Sequence, residues 1–227
     1  ALVALGNPAN MGFCIACFLR DIAGATKLHT AGAVQYARPE IAGLVLGACI
    51  AAIAFKEWKP RGGSSPMTRF MIAIFVMIGA LMFLGCPLRM MIRIGGGDLN
   101  AIVGLVGFGA VILVGVLWLN NGFSLRRAYT QSAAEGAVFP AMMAALTVLT
   151  LMAPSLFAAS EAGAGPGALH APLFVSLIVG LVVGAICQRT RFCTVAAGRD
   201  AMLFKDFSML WGFVAVIATC IVGNLKI

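Results

Sequence analysis

Three cysteines, Cys14, Cys86 and Cys193, stand at comparable places, each at the opening of a short segment with arginine in its interior. If those segments are helical, each thiol lies where backbone N–H groups are unpaired and the helix dipole presents partial positive charge. Such a place attracts anions and favours the reactive thiolate. A small anion ending in sulfur or selenium would meet both a dipole and a polarizable thiol. Arg89 and Arg93 lie one turn apart behind Cys86, with no acid in that segment, and are expected to draw an anion. Arg20–Asp21 and Arg199–Asp200 are neighbouring opposite charges. Inside a membrane such groups pair with one another or line a pathway, and both roles stay open for the two arginines. Asp21 and Asp200 are expected as the structural halves of these pairs.

The other reactive residues point less clearly. Cys49 and Cys220 sit among Ala and Ile within apolar stretches and read as packing. Cys17 completes C-x-x-C with Cys14, a pattern that also serves thiol redox chemistry. His29 and His170 lie in loops without a second Cys/His pair, so neither a metal nor a cofactor is expected. Gly95-Gly96-Gly97 allows a tight backbone return, and no G-K-[ST] follows to make it a phosphate loop. Met90, Met91 and Met202 are soft residues suited to packing first and to lining a route second.

The segments that must position these residues are Phe13–Ala25, Cys86–Ile94 and Phe192–Phe204. At nine to thirteen residues each is too short to cross a bilayer, and the length suits a re-entrant half-helix. Pro87 marks the first turn of the second, and the three glycines stop it. Between them lie candidate spans at Ile41–Phe55, Thr68–Gly85, Leu99–Leu119, Ala137–Ala153, Leu173–Cys187 and Phe207–Leu225. The first and fifth are short, with flanks that can extend them. Leu2–Gly6 reads as the tail of a further span, and no signal-peptide n-region precedes it.

Composition agrees. Of the 227 residues 61% are hydrophobic and 11% charged, too little polar surface to cover a water-soluble fold of this size. The class is an all-α polytopic membrane protein, with the bilayer as its first partner. The net charge of +8 therefore reads as topology rather than nucleic-acid binding. Lys56, Lys59, Arg61 and Arg69 mark one loop, and Arg126 and Arg127 a second. Pro154–Pro172 holds no Lys or Arg. With both basic loops cytoplasmic the positive-inside rule holds throughout, except for Lys27 and Arg38, which fall outside.

Gly12–Asp21 and Arg191–Asp200 both contain F-C-x5-R-D, each after one span and before another. The charge-derived topology makes the first copy dip from the outer side and the second from the inner side. This predicts a single transmembrane domain over 1–227: repeat one at about 1–119, an extra span at 137–153, and an inverted repeat two at about 171–227. Inverted repeats with broken helices and a midplane site are a transporter architecture. Repeat two is expected to be incomplete, because only 34 residues follow Cys193 while Cys86 comes 72 residues after Cys14.

At these residues the chain resembles the YeeE/YedE family of membrane proteins. The resemblance is carried by the two F-C-x5-R-D blocks, Gly85-Cys-Pro-Leu-Arg89, Gly96-Gly-Asp-Leu-Asn-Ala101, and, toward the YedE branch, Asn7-Pro-Ala-Asn-Met-Gly-Phe-Cys14 and Tyr36-Ala-Arg-Pro-Glu40. It implies a thiosulfate or selenium transporter with short helices meeting at a narrow waist. Cys14 and Cys86 match the family's relay positions, and Cys193 matches by the repeat. A bacterial inner-membrane location and a cytosolic sulfur carrier of the TusA type are further implications.

The expected function is import of a small sulfur or selenium species by a protein that is not an enzyme. Alternatives are a membrane thiol oxidoreductase using Cys14 and Cys17, and an anion channel in which the thiols are bystanders.

Overall fold

A computed structural model describes residues 2–9, 11–83, 85–124, 128–161, 163 and 165–224. The basic pair Arg126–Arg127 and the end of the last expected span, Leu225, lie outside the described residues. Nine α-helices run in chain order among the described residues. They are α1 (Ile15–Ala25), α2 (Pro39–Ala54), α3 (Pro66–Met82), α4 (Pro87–Gly95), α5 (Leu99–Asn120), α6 (Ala133–Met152), α7 (Leu173–Thr190), α8 (Thr194–Leu203) and α9 (Ser208–Asn224). Helix makes up 69% of the fold, and the chain is an all-α polytopic protein.

Among the described residues five helical stretches are long and apolar enough to cross a membrane: Gly32–Ala54, Pro66–Gly95, Leu99–Asn120, Ala133–Met152 and Leu173–Leu203. The second takes in α3 and α4, and the fifth α7 and α8. The sixth expected span corresponds to α9, an apolar helix whose 17 residues run to the last described residue. Its start is set by Asp206, whose Oδ1 accepts the Ser208 backbone N–H at 3.0 Å. Short helices α1, α4 and α8 stand at the three segments expected as half-helices.

The chain folds as two compact units, each built from both halves of the sequence. Unit 1 is Ala1–Ala9, Ile15–Gly63 and Ala128–Thr190; unit 2 is Asn10–Cys14, Ser64–Arg127 and Arg191–Ile227.

In unit 1, α2 packs along α7 in parallel, through glycines. A Cβ on Gly43 would lie 2.5 Å from the Leu177 carbonyl oxygen, and one on Gly180 2.5 Å from that of Glu40. Gly47 and Gly184 meet the backbones of Leu181 and Leu44 in the same way. Both helices therefore carry small-x3-small spacing, which lets backbones touch where no hydrophobic drive separates lipid from side chain.

The loops at the two ends of unit 1 bear on topology. At one end Arg61–Gly62 pairs with Tyr129–Thr130 as a two-residue antiparallel ladder, and Gln131 N–H donates to the Pro60 carbonyl. The two basic loops thus meet. At the other end the uncharged loop is tied to the segment before α2: Ser160 N–H donates to the Gln35 carbonyl and Gly167 N–H to that of Ala33. The charge-derived topology requires both groupings and the parallel α2–α7 pair.

In unit 2 the core joins Met90 and Met91 of α4, Ala101 of α5, Ala197 of α8 and Phe213 of α9. The two methionines are packing residues here, while Met202 is exposed. Gly95 at the end of α4 lies against Cys220 of α9. Gly97 adopts φ +82°, so the glycine run stops α4 as its composition suggests.

Candidate functional site

The thiols come together in unit 2. Cys86 is the N-cap residue of α4, with extended φ −84° and ψ 170°, and Pro87 supplies the first helical position. Proline fits there because its missing N–H is one the helix start leaves unpaired anyway. Cys14 directly precedes α1 and is fully buried. Cys14 Sγ and Cys86 Sγ lie 3.9 Å apart although 72 residues separate them in the chain. That is the reach of an S–H···S contact, in which either thiol can donate. None of the seven cysteines, all among the described residues, is in a disulfide. Cys193 is the N-cap residue of α8 and is exposed. The three cysteines therefore share the expected local position, and two of them meet.

The arginines divide. Arg93 stacks on the Phe83 ring at 5.2 Å and donates to its carbonyl at 3.0 Å. It also donates to Asp98 Oδ2, from Nε at 2.7 Å, with Nη2 at the same distance. The absence of an acid inside α4 thus did not leave Arg93 open, because Asp98 comes back to it after the glycine turn. Asp98 also caps α5, its Oδ1 accepting the Asn100 N–H at 3.0 Å. The Arg93 hydrogen bond holds its carboxyl below the usual range, helped by Asn100. Arg89 is half-buried, its side chain folded over Gly85.

The Arg–Asp neighbours pair as their adjacency predicts. Arg199 Nε donates to Asp200 Oδ1 at 2.7 Å in unit 2, and Arg20 Nη2 to Asp21 Oδ1 at 2.8 Å in unit 1. The two copies of F-C-x5-R-D thus share a helix starting one residue after the cysteine and the same local ion pair.

Unit 1 holds a polar cluster that sequence reading missed. Arg38 is almost fully buried and donates to Asp21 Oδ2 at 2.9 Å. It also donates to the carbonyls of Leu169 at 3.1 Å and Pro166 at 2.7 Å, and its guanidinium lies near the Phe18 and Tyr36 rings. Expected only as a charge on the outer side, it is a buried strap that fixes the uncharged loop. Beside it in sequence, Glu40 is fully buried and accepts from Asn7 and Ser176. The signal available was the acid itself: Glu40 opens an apolar span, where a charge is costly and functional by default.

Comparison with family models, curated proteins and solved structures finds no match.

Proposed function

We propose that the protein is a transporter of the YeeE/YedE type that passes a small sulfur- or selenium-containing anion along cysteine thiols. The observation that carries this reading is the Cys14–Cys86 pair, two thiols at 3.9 Å from distant parts of the chain, each at a short helix. A thiol at a helix start offers a weak S–H donor in a positive field. The terminal sulfur of thiosulfate is a soft acceptor that such donors can hold loosely and hand on. No lasting bond forms, so release stays fast. Arg89, on the helix of Cys86, adds positive charge. Arg20, Arg93 and Arg199 each share a carboxylate, and in this reading they hold the short helices in place. Cys193 and α8 belong to the second, inverted copy of the repeat. A bacterial inner membrane, and a cytosolic sulfur carrier receiving the cargo, complete the proposal.

Uptake of labelled thiosulfate, with selenite as competitor, tests it in cells lacking other routes. Cys86→Ala is expected to abolish uptake while the protein accumulates and unfolds normally. Full uptake by that variant would refute the relay.

A further inference from the structure

The group in unit 1 that its packing leaves unexplained is the Glu40 carboxyl. Oε1 accepts from Asn7 Nδ2 and from Ser176 Oγ, both at 3.0 Å. Oε2 is shut away from solvent and has no hydrogen-bond partner. Of the charged and titratable groups around this end of α2, none among the described residues hydrogen-bonds Glu40, though Tyr36 lies near enough to feel its charge. Arg38, the N-cap residue of α2, points all three guanidinium nitrogens at Asp21, Leu169 and Pro166. From α1, Asp21 is bridged by Arg38 and Arg20. Tyr36 stacks on His170 at 4.3 Å, and His29 bonds the Arg20 carbonyl. The residues that touch Glu40 from the N-terminal segment and from α7, Asn7 and Ser176, are neutral. A carboxylate here would be a buried charge without a cation and with one oxygen bare, a state proteins avoid. A proton removes the charge, and Oε2 is the oxygen left free to carry it.

We propose that Glu40 is a proton-binding site, occupied while α2 and α7 are packed and exchanging its proton when they part. At the glycine contacts between these helices backbone lies on backbone, and in this proposal proton exchange accompanies their parting. With the proton on, Arg20, Asp21 and Arg38 leave one net positive charge; with it off, Glu40 cancels that charge. An anion is favoured by the first state, and linkage makes proton and anion support each other's binding. The inference rests on the transport reading and deepens it, naming the proton as the coupling ion.

Infrared spectroscopy of the full chain in detergent tests the site without transport. Glu40 is the one buried glutamate of the four in the chain. Isotope labelling of glutamate carboxyls should therefore reveal a single protonated C=O band that shifts in D2O. Glu40→Gln keeps an acceptor for Asn7 and Ser176 and should lose the band. Absence of the band in labelled wild type overturns the proposal even if the variant fails to fold. In proteoliposomes, an inward proton gradient should raise thiosulfate accumulation by about tenfold per pH unit for one proton per anion. Glu40→Gln should equilibrate thiosulfate without accumulating it. Accumulation indifferent to the gradient, or driven by sodium instead, overturns the coupling. Failure of wild type to move thiosulfate or selenite at all refutes the transport reading, while the infrared band still decides Glu40.

Discussion

Gly180→Ala is the sharpest test of how unit 1 is held. The added methyl would sit 2.5 Å from the Glu40 carbonyl oxygen, against an ordinary contact limit of 3.4 Å, so α2 and α7 must separate by about 0.9 Å. Neither side can relax locally, because the listener on the far side is backbone. Overpacking of this kind costs about 1–3 kcal/mol. The same displacement stretches the 3.0 Å Ser176–Glu40 hydrogen bond beyond its useful range, adding about 1 kcal/mol. A loss of roughly 2–4 kcal/mol corresponds to a fall in Tm on the order of 5–15 °C for a chain of this length. The assay is thermal unfolding in detergent, followed by tryptophan emission. Gly107→Ala and Gly109→Ala on α5 are the matched controls, because a Cβ there meets nothing within 4 Å. Alanine is the better helix former by roughly 0.5–1 kcal/mol, so these should be neutral or stabilising. If Gly180→Ala unfolds no lower than the controls, the backbone-on-backbone seam is not what holds α2 to α7.

Arg38→Ala removes a buried partner of Asp21 and two carbonyl contacts, and should cost about 3–5 kcal/mol, read as lost folded yield and lowered Tm. Arg38→Lys should not rescue it, since an ammonium cannot make three divergent bonds from one plane. The Arg93 hydrogen bond holds the pKa of Asp98 below its ordinary value, so its stabilising contribution is full above the ordinary carboxylate range and fades as pH falls through the lowered value. The gap in Tm between wild type and Asp98→Asn should therefore be present at neutral pH and close in acid. With the other five cysteines replaced, mild oxidation should link Cys14 to Cys86 in high yield, read as a shift in gel mobility; no link would refute their 3.9 Å approach.

Much of the architecture is legible in the sequence because lipid imposes simple rules. Apolar length gives α2, α3, α5, α6 and α7; arginine within a short apolar stretch gives α1, α4 and α8; Pro87 and Gly95–Gly97 set the ends of α4. The cysteine positions follow from the same breaks. What sequence does not show is who meets whom across long separations. Asp98 returns to Arg93 only because the glycine turn folds back, and Cys14 reaches Cys86 across 72 residues. Arg38 reads as a loop charge because the partner it needs, Asp21, is 17 residues away on another helix. The small-x3-small spacings at Gly43–Gly47 and Gly180–Gly184 are visible in the sequence, but 27 glycines hide which pairs touch.

Burial of Arg38 also sharpens the topology. The positive-inside rule counts basic residues facing water, and a guanidinium locked to Asp21 and two carbonyls is not one of them. Of the two residues that violated the rule, only Lys27 is then an exposed charge. The opposite end of unit 1 exposes Lys56, Lys59, Arg61 and Arg189. The asymmetry is therefore stronger in the fold than in the raw count, and it predicts that the end bearing the Arg61–Thr130 pairing faces the cytoplasm. Introducing Leu28→Cys and Lys59→Cys separately, and treating intact cells with a membrane-impermeant maleimide, checks this. Leu28 is 81% exposed, so its cysteine should label from outside above the wild-type background. Lys59→Cys should label only after permeabilisation. The reverse pattern would show that the chain inserts against its own charge, and the half-helix directions read from that charge would reverse with it.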